Sequence, residues 1–455
     1  MARVEPRLLK GFRDYLPDVE GARLRMLDAV RGVFERFGFG PLQTPAIEYA
    51  EILLGKYGDE GDKLLYRFRD NGDRDVALRY DLTVPLARLV GQYHGQLVMP
   101  FRRYQMAPVW RAEKPARGRF REFMQCDADL VGEPGVRADA EIMMVGLSVL
   151  KALGVPACVM RVNDRRILDG VLDVVGVAAG MPRVLVLRAV DKLPKIGAEA
   201  VIAEIQAQVG LDQATCERLL ALLDRSLTRL DQLEPLRTAL AASDVGRQGL
   251  DGLAELLGLV EAAGFGDRVE IDLTIARGLD YYTSTIYETF LVGHEAYGSV
   301  MSGGRYDGLM DAFSGKATPA VGISLGVDRL LAALMDIGVL KTAAAPADIY
   351  MCLPEAAHFG VVAKAVTALR DAGLKVEMAL AGGKLGKQFQ QAVKRGYRFA
   401  AIPNPEELAA GIVQLKDLVS GEQRPMMLAD AARWSQDLDF HGAREQSGET
   451  GVSKP

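Results

Sequence analysis

Cysteine and histidine are scarce in this chain of 455 residues, which has four of each. Cys126, Cys158, Cys216 and Cys352 stand far apart and form no C-x-x-C pair. That spacing speaks against a disulfide framework and a cysteine zinc site, and favours reduced thiols in a cytosolic compartment. His94, His294, His358 and His441 are equally scattered and read as structural or exposed positions, not as metal ligands. No stretch approaches the ~18 apolar residues of a membrane span. The start, MARVEPRLLKGFRDYLP, lacks the apolar core of a signal peptide. A cytoplasmic protein with no membrane association is expected. A global excess of positive charge is missing too: the net charge is −5, so any contact with nucleic acid must be local.

The bulk composition is ordinary, 49% hydrophobic and 25% charged, and the length suits two to four domains. One stretch stands out, Phe101 to Gly132, FRRYQMAPVWRAEKPARGRFREFMQCDADLVG. It opens with strand-like spacing (Tyr104, Met106, Trp110), passes a loop-like centre at 113–118, and resumes as a strand-like run at 120–125. From Arg102 to Arg121 there are seven Arg or Lys and one acid, Glu113, a formal charge of +6. Alternation along a strand places Arg119 and Arg121 on one face and Phe120 on the other. Such a hairpin can hold polyphosphate and stack a base; equally, it can be an edge hairpin charged against aggregation.

In chain order, KGFRDYLP (10–17) is a compact entry segment. A helix follows from about Glu20 to Phe37, with Leu24, Leu27, Val30, Val33 and Phe34 at helical spacing. PLQTPAIEY reads as a strand interrupted by Pro45, hence an edge or a bulge. Helix and edge strand could form a dimer surface or simply pack. Residues 64–70 and 75–80 flank Asn71-Gly72, a hairpin signal. Asp81 and Thr83 then sit where strand gives way to helix, as an N-cap or as partners for an ammonium group. Glu141 to Leu153 reads as a helix, and from roughly Asn163 to Gly264 the pattern reads as a mostly helical insertion. β character returns at Val269. Arg277-Gly278-Leu279-Asp280-Tyr281-Tyr282 packs a cation, a carboxylate and two phenols into six residues. Gly303-Gly304-Arg305-Tyr306-Asp307-Gly308 lacks the signature of a phosphate loop, so its glycines read as close-approach positions. Arg329 falls in the first turn of a helix beginning near Gly326, where a cation opposes the dipole unless it serves an anion. After the alanine-rich linker 341–347, DIYMCL, KVEMAL and YRFAAI alternate with helices near 355–373 and 384–396. That alternation implies a small, mainly parallel sheet. Lys384 to Arg398 holds five basic residues and no acid, either a solvated face or an RNA-backbone contact.

These segments together resemble the class II aminoacyl-tRNA synthetases and, within them, the histidyl-tRNA synthetase family. The likeness rests on five ordered motifs spread over about residues 8–435. They are the helix and proline-bearing strand at 20–48, Trp110-Arg111-Ala112-Glu113 through Phe123, RGLDYYT at 277–283, GGRYDGL at 303–309, and Gly322 to Arg329. The resemblance implies an α+β fold. An antiparallel-sheet catalytic domain of six strands (1–162 and 265–340) would be split by a helical insertion (163–264). A linker (341–347), a C-terminal α/β anticodon-binding domain (348–435) and a polar tail (436–455) would complete the chain. It also implies a homodimer that activates L-histidine with ATP and Mg2+ to histidyl-adenylate, then transfers it to the 3′ end of histidine tRNA.

By the same resemblance, Arg111 binds the α-phosphate and the histidine carboxylate, and Arg277 stabilises the pentacovalent phosphorus. Glu113 and Phe123 hold adenine, while Arg119 and Arg329 bind the outer phosphates. Asp81, Thr83 and Gln125 take the α-ammonium group; Asp129, Tyr281 and Tyr282 read the imidazole. No side-chain nucleophile is implied, and no protein-held metal. The family's frequent Glu-Gly-Thr is Asp81-Leu82-Thr83 here, which keeps the charge. Ala116 replaces a polar residue that contacts the tRNA acceptor end in some relatives, which bears on whether the extra 5′ guanosine is needed. The competing expectation is a non-catalytic, histidine-sensing regulatory subunit of ATP phosphoribosyltransferase. That paralogue typically lacks the anticodon domain and parts of the adenylation set, both of which this sequence has.

Overall fold

The structure is a computed structural model, and it describes residues 4–116, 118–276, 282–342 and 345–437. Contacts divide the chain into two units: Met1–Asp14 with Arg25–Leu340, and Tyr15–Leu24 with Lys341–Pro455. The helix Pro17–Arg36 therefore belongs to the second unit up to Leu24 and to the first beyond it.

The first unit is built on six strands: β1 (Phe101–Trp110), β2 (Glu122–Val131), β3 (Cys158–Asp164), β4 (Thr285–Leu291), β5 (Met301–Arg305) and β6 (Ala320–Gly326). They lie in the order β1-β2-β6-β5-β4-β3, and every neighbouring pair is antiparallel. Two short strands extend the sheet in parallel, Gly40–Pro41 on β1 and Val269–Ile271 on β3, making eight in all. The helix α1 (Val136–Ala152) presents an almost wholly buried apolar stripe, Ile142, Met143, Leu147 and Leu150 among it. Helices fill residues 165–262, beginning directly after β3, with Arg165–Val175 packed on Asp244–Ala262.

Several local expectations shift. In the first helix Ala22, Met26, Val30, Val33 and Phe34 are buried, but Leu24 is half exposed. The proline-interrupted strand becomes two, Gly40–Pro41 and Ile47–Tyr49, with Pro45 between them. Strands Arg67–Arg69 and Asp75–Leu78 do form a hairpin. Its turn is wider than Asn-Gly suggests: Asp70 accepts from Gly72 and Arg74, and the positive φ, 60°, falls at Asp73.

The second unit has a five-stranded sheet. Val376–Met378, Ile349–Met351 and Phe399–Ile402 are parallel, whereas Ile412–Asp417 and Gln423–Met427 continue it antiparallel. The expected mainly parallel sheet is thus mixed. Its core includes Tyr350, Leu353, Val366, Leu369, Phe399 and Trp434. Of the basic run 384–398, Arg395 pairs with Glu377 and Arg398 with Asp417, leaving Lys384, Lys387 and Lys394 as its exposed lysines. Among the described residues, no helix is long and apolar enough to cross a membrane.

Candidate functional site

A cavity of about 330 Å³ opens on one face of the six-stranded sheet. Strand alternation sends Phe123, Gln125, Asp127 and Asp129 of β2 to the same side, and all four line it. Gly303 of β5 and Gly322 and Ser324 of β6 form the floor, and Tyr282 and Tyr287 contribute walls. Arg111, Glu113, Arg119 and Phe120 enter from the β1–β2 loop, Asp81 and Thr83 from the start of another helix (Thr83–Tyr93), and Arg329 from the helix Val327–Asp336.

One end of the cavity is acidic. Asp81 is buried, accepts from the backbone N–H of Thr83 and Val84, and accepts from Tyr57 at 3.0 Å. The N-cap position falls on Leu82, not on Asp81 or Thr83 as the sequence suggested, yet the Asp81 carboxylate still serves the first N–H groups of that helix while it lines the cavity. Burial pushes its carboxyl above the usual range, against the pull of those N–H donors and of Arg111. Asp129 accepts from Tyr306 Oη, and its Oδ2 lies 2.7 Å from the Arg103 guanidinium, which is wholly buried. Burial raises Asp129 despite Arg103, and pushes neighbouring Asp127 up to about 7. Gln125 donates to Ser324 at 2.6 Å.

Two glycines make this end possible. A Cβ on Gly322 would stand 1.9 Å from Asp129 Oδ1, and one on Gly303 would stand 2.1 Å from the Gly322 carbonyl. Tyr287 donates to that same carbonyl at 2.7 Å. The glycines of 303–304 serve strand-to-strand approach beneath the cavity, which supplies the reason for their spacing.

The other end is cationic. Arg111 is anchored by Nε to the Tyr80 carbonyl at 3.1 Å and lies over the Tyr80 and Phe123 rings, 4.2 and 5.2 Å from their centroids. Arg119 stands 3.5 Å from Glu113, and Arg329 donates to the Ser299 carbonyl. The +6 hairpin is less uniform than its sequence. Arg102 pairs with Glu141 and Arg103 with Asp129, so two of its charges are structural counter-ions. Strand β2 begins at Glu122, so strand alternation does not govern Arg119 and Arg121. Arg121 instead braces the loop, donating to the Glu113 and Lys10 carbonyls.

The entry segment reaches this loop from the far N-terminus. The Arg121 N–H donates to the Gly11 carbonyl at 2.7 Å, and Arg13 lies 4.0 Å over Phe120 while pairing with Asp328. Asp328 in turn accepts from the Met124 N–H at 2.8 Å. A strap thus ties the β1–β2 loop to the helix bearing Arg329.

Of the expected site residues, Asp81, Thr83, Arg111, Glu113, Arg119, Phe123, Gln125, Asp129, Tyr282 and Arg329 converge on the one cavity. Arg277 and Tyr281 lie outside the described residues. The sequence reading missed Arg103, Asp127 and Tyr306. Asp127 carried a signal, since it shares the period-two face of Gln125 and Asp129. Arg305, the cation of the GGRYDG segment, pairs with buried Asp139 at 3.1 Å and donates to the Glu133 and Gly135 carbonyls, a structural role.

Residues 11–330 match the histidyl-tRNA synthetase family, and residues 348–438 match the anticodon binding domain. A histidine–tRNA ligase of Rhodopirellula baltica is 42% identical over 422 residues, covering 92% of this chain and 95% of that protein. The crystal structure of histidyl-tRNA synthetase from Nostoc sp. PCC 7120 superposes with a TM-score of 0.86 at 34% identity, covering 96% of this chain and 100% of that one. A Bacillus halodurans structure described as an ATP phosphoribosyltransferase regulatory subunit/histidyl-tRNA synthetase gives a TM-score of 0.72 at 23% identity, over 88% of this chain and 99% of that one. That last likeness is one of fold alone.

Proposed function

Because the chain belongs to the histidyl-tRNA synthetase family, we propose that L-histidine and ATP react in the cavity on its six-stranded sheet. The chain is an ATP-dependent aminoacyl-tRNA ligase: it activates histidine to histidyl-adenylate and passes it to histidine tRNA. The observation that carries the assignment to this cavity is its polarity. A carboxylate-lined end and a guanidinium-lined end share one space, and they match an amino acid's ammonium group and a nucleotide's phosphates respectively.

In this reading Asp81, Thr83 and Gln125 hold the α-ammonium group. Asp129, with Tyr281 and Tyr282, takes the imidazole, whose two nitrogens suit a carboxylate and a phenol. Tyr306 and Arg103 fix the Asp129 carboxylate. Phe123 stacks on adenine and Glu113 accepts from it. ATP enters as its magnesium complex, since Mg2+ binds chiefly through substrate phosphate; Arg119 and Arg329 hold the outer phosphates. The histidine carboxylate oxygen attacks the α-phosphorus, and the bond to pyrophosphate breaks. Arg111, held by Tyr80 and bridging both reactants, and Arg277 offset the charge that grows on the phosphoryl oxygens.

The second unit would carry tRNA recognition, with Lys384, Lys387 and Lys394 available to phosphate. A second copy of the chain would cover the apolar sheet face at 47–78. Cross-strand register aligns Tyr49, Val76 and Phe68 in one row, and Ile47, Tyr49 and Phe68 are 46%, 51% and 42% exposed. Sedimentation of the parent should give a dimer, and Tyr49→Asp with Phe68→Asp should give a monomer; a parent that sediments as a monomer overturns this.

The direct test is charging of unfractionated tRNA with labelled histidine. Acid-stable incorporation that saturates at the histidine-acceptor content is expected. Histidine binding without charging would instead favour the regulatory reading.

A further inference from the structure

We propose that Asp127 is a further histidine-binding carboxylate, set between the ammonium pocket and the imidazole pocket. The proposal rests on the site reading above, in which Gln125 and Asp129 serve those two pockets. Positions 125, 127 and 129 alternate onto one face of β2, so a substrate spanning the outer two passes the middle one.

The hydrogen-bond inventory of this corner is incomplete. Asp127 is 2% exposed, yet its Oδ1 has no hydrogen-bond partner among the described residues. Arg103, across the pair β1–β2, leaves Nε and Nη1 equally unmatched, and Asp129 Oδ2 touches its guanidinium off the hydrogen-bond direction. Buried polar atoms are normally paired, and a charged one left unmatched is costly. The charges are unequal as well: Asp81, Asp127 and Asp129 repel one another, and only two guanidiniums act on the three, Arg103 on Asp127 and Asp129 and Arg111 on Asp81. A cationic ligand that brings several N–H donors completes both counts. Histidine is such a ligand, with three ammonium donors and a ring N–H.

The electrostatics agree. Groups facing Asp127 are Arg103 on β1, Asp129 on its own strand, Asp81 from the start of the Thr83–Tyr93 helix, and the Ser324 hydroxyl on β6. Burial outweighs Arg103, and the two acids add to it, so the Asp127 carboxyl stands at about 7. With no cationic ligand beside it, the carboxyl holds its proton below that pH. An arriving ammonium group favours the carboxylate, so this contribution to histidine affinity falls as pH drops through about 7.

The test is histidine-dependent ATP–pyrophosphate exchange by Asp127→Asn, which keeps the shape and removes the charge. The histidine KM should rise about tenfold or more, as for a lost charged hydrogen bond, while the ATP KM stays within about twofold. The pH dependence of the histidine KM near 7 should shrink to that of the imidazole itself. Equal rises in both KM values, or a pH profile identical to the parent's, would make Asp127 a counter-ion for Arg103 and overturn the proposal. Asp129→Asn separates the two levels of the argument. If it alone raises the histidine KM, only Asp127 is misassigned; if neither variant does, the site reading fails. A crystal structure of the parent with L-histidine needs no variant: an Asp127 oxygen at hydrogen-bond distance from a histidine nitrogen is expected, and its absence overturns the role.

Discussion

Gly322 and Asp129 face each other across β6 and β2, and their pairing shows how narrow the tolerance is at this site. An added methyl at 322 would press on the carboxylate at 1.9 Å. Gly322→Ala should therefore fold but displace Asp129, raising the histidine KM by about tenfold or more with a nearly unchanged ATP KM. Steady-state kinetics beside a melting curve checks this, and an unaltered histidine KM would remove Asp129 from ligand contact. At this scale the sequence was legible where a motif marks a residue: Arg111, Gln125, Asp129 and Arg329 all reach the cavity. It misled where charge was counted without direction. Arg102 and Arg103 added to an expected phosphate surface, yet Arg102 makes a half-buried pair with Glu141 of α1 and Arg103 a buried one with Asp129 within the sheet. Tyr306 was hidden because its partner, Asp129, is 177 positions away in the chain, and no local pattern encodes such a pair.

At the scale of elements, the N-terminal strap invites the clearest experiment. Arg13 joins Phe120 of the β1–β2 loop to Asp328, next to Arg329. Gly11 permits the close approach, since a Cβ there would lie 2.8 Å from the Arg121 side chain. Arg13→Ala should loosen the loop and raise the ATP KM by about tenfold, because misplacement of phosphate-holding groups is costly. The histidine KM should stay within about twofold. Arg13→Lys should restore only part, since an ammonium group cannot lie flat on Phe120 and pair with Asp328 as a guanidinium does. Equal effects on both substrates would reduce the strap to a stabilising contact. The hairpin at 101–132 was legible from its two apolar runs, but β2 runs six residues beyond the expected end, through an acid-bearing stretch that only the surrounding buried sheet makes strand-like. Strands 412–417 and 423–427 escaped for a similar reason: the second is mostly exposed and carries Pro425, so periodicity gave no signal.

For the whole molecule, the claim at this scale is that the first unit performs adenylation and the second serves tRNA. The residues assigned to ATP and histidine lie in Asp81–Arg329, and the contact boundary falls at Leu340 and Lys341. A chain ended within 341–346 should still form histidyl-adenylate but charge tRNA poorly, with a weaker salt dependence of tRNA binding, since phosphate contacts set that slope. A folded truncation that charges tRNA with unchanged affinity across a salt series would leave the second unit a stabilising module. The division into two units was legible in the linker composition and the change of alternation pattern. The assignment of Tyr15–Leu24 to the second unit was not, because one continuous helix gives no local sign of changing neighbours. The measurement that bears most directly on the account is ATP–pyrophosphate exchange by the full chain, with each amino acid in turn. Histidine alone should support exchange, and Arg111→Ala should lower it by about a hundredfold or more, the scale of one lost charge stabiliser. Exchange that ignores histidine, or an Arg111→Ala enzyme at the parent rate, would contradict it.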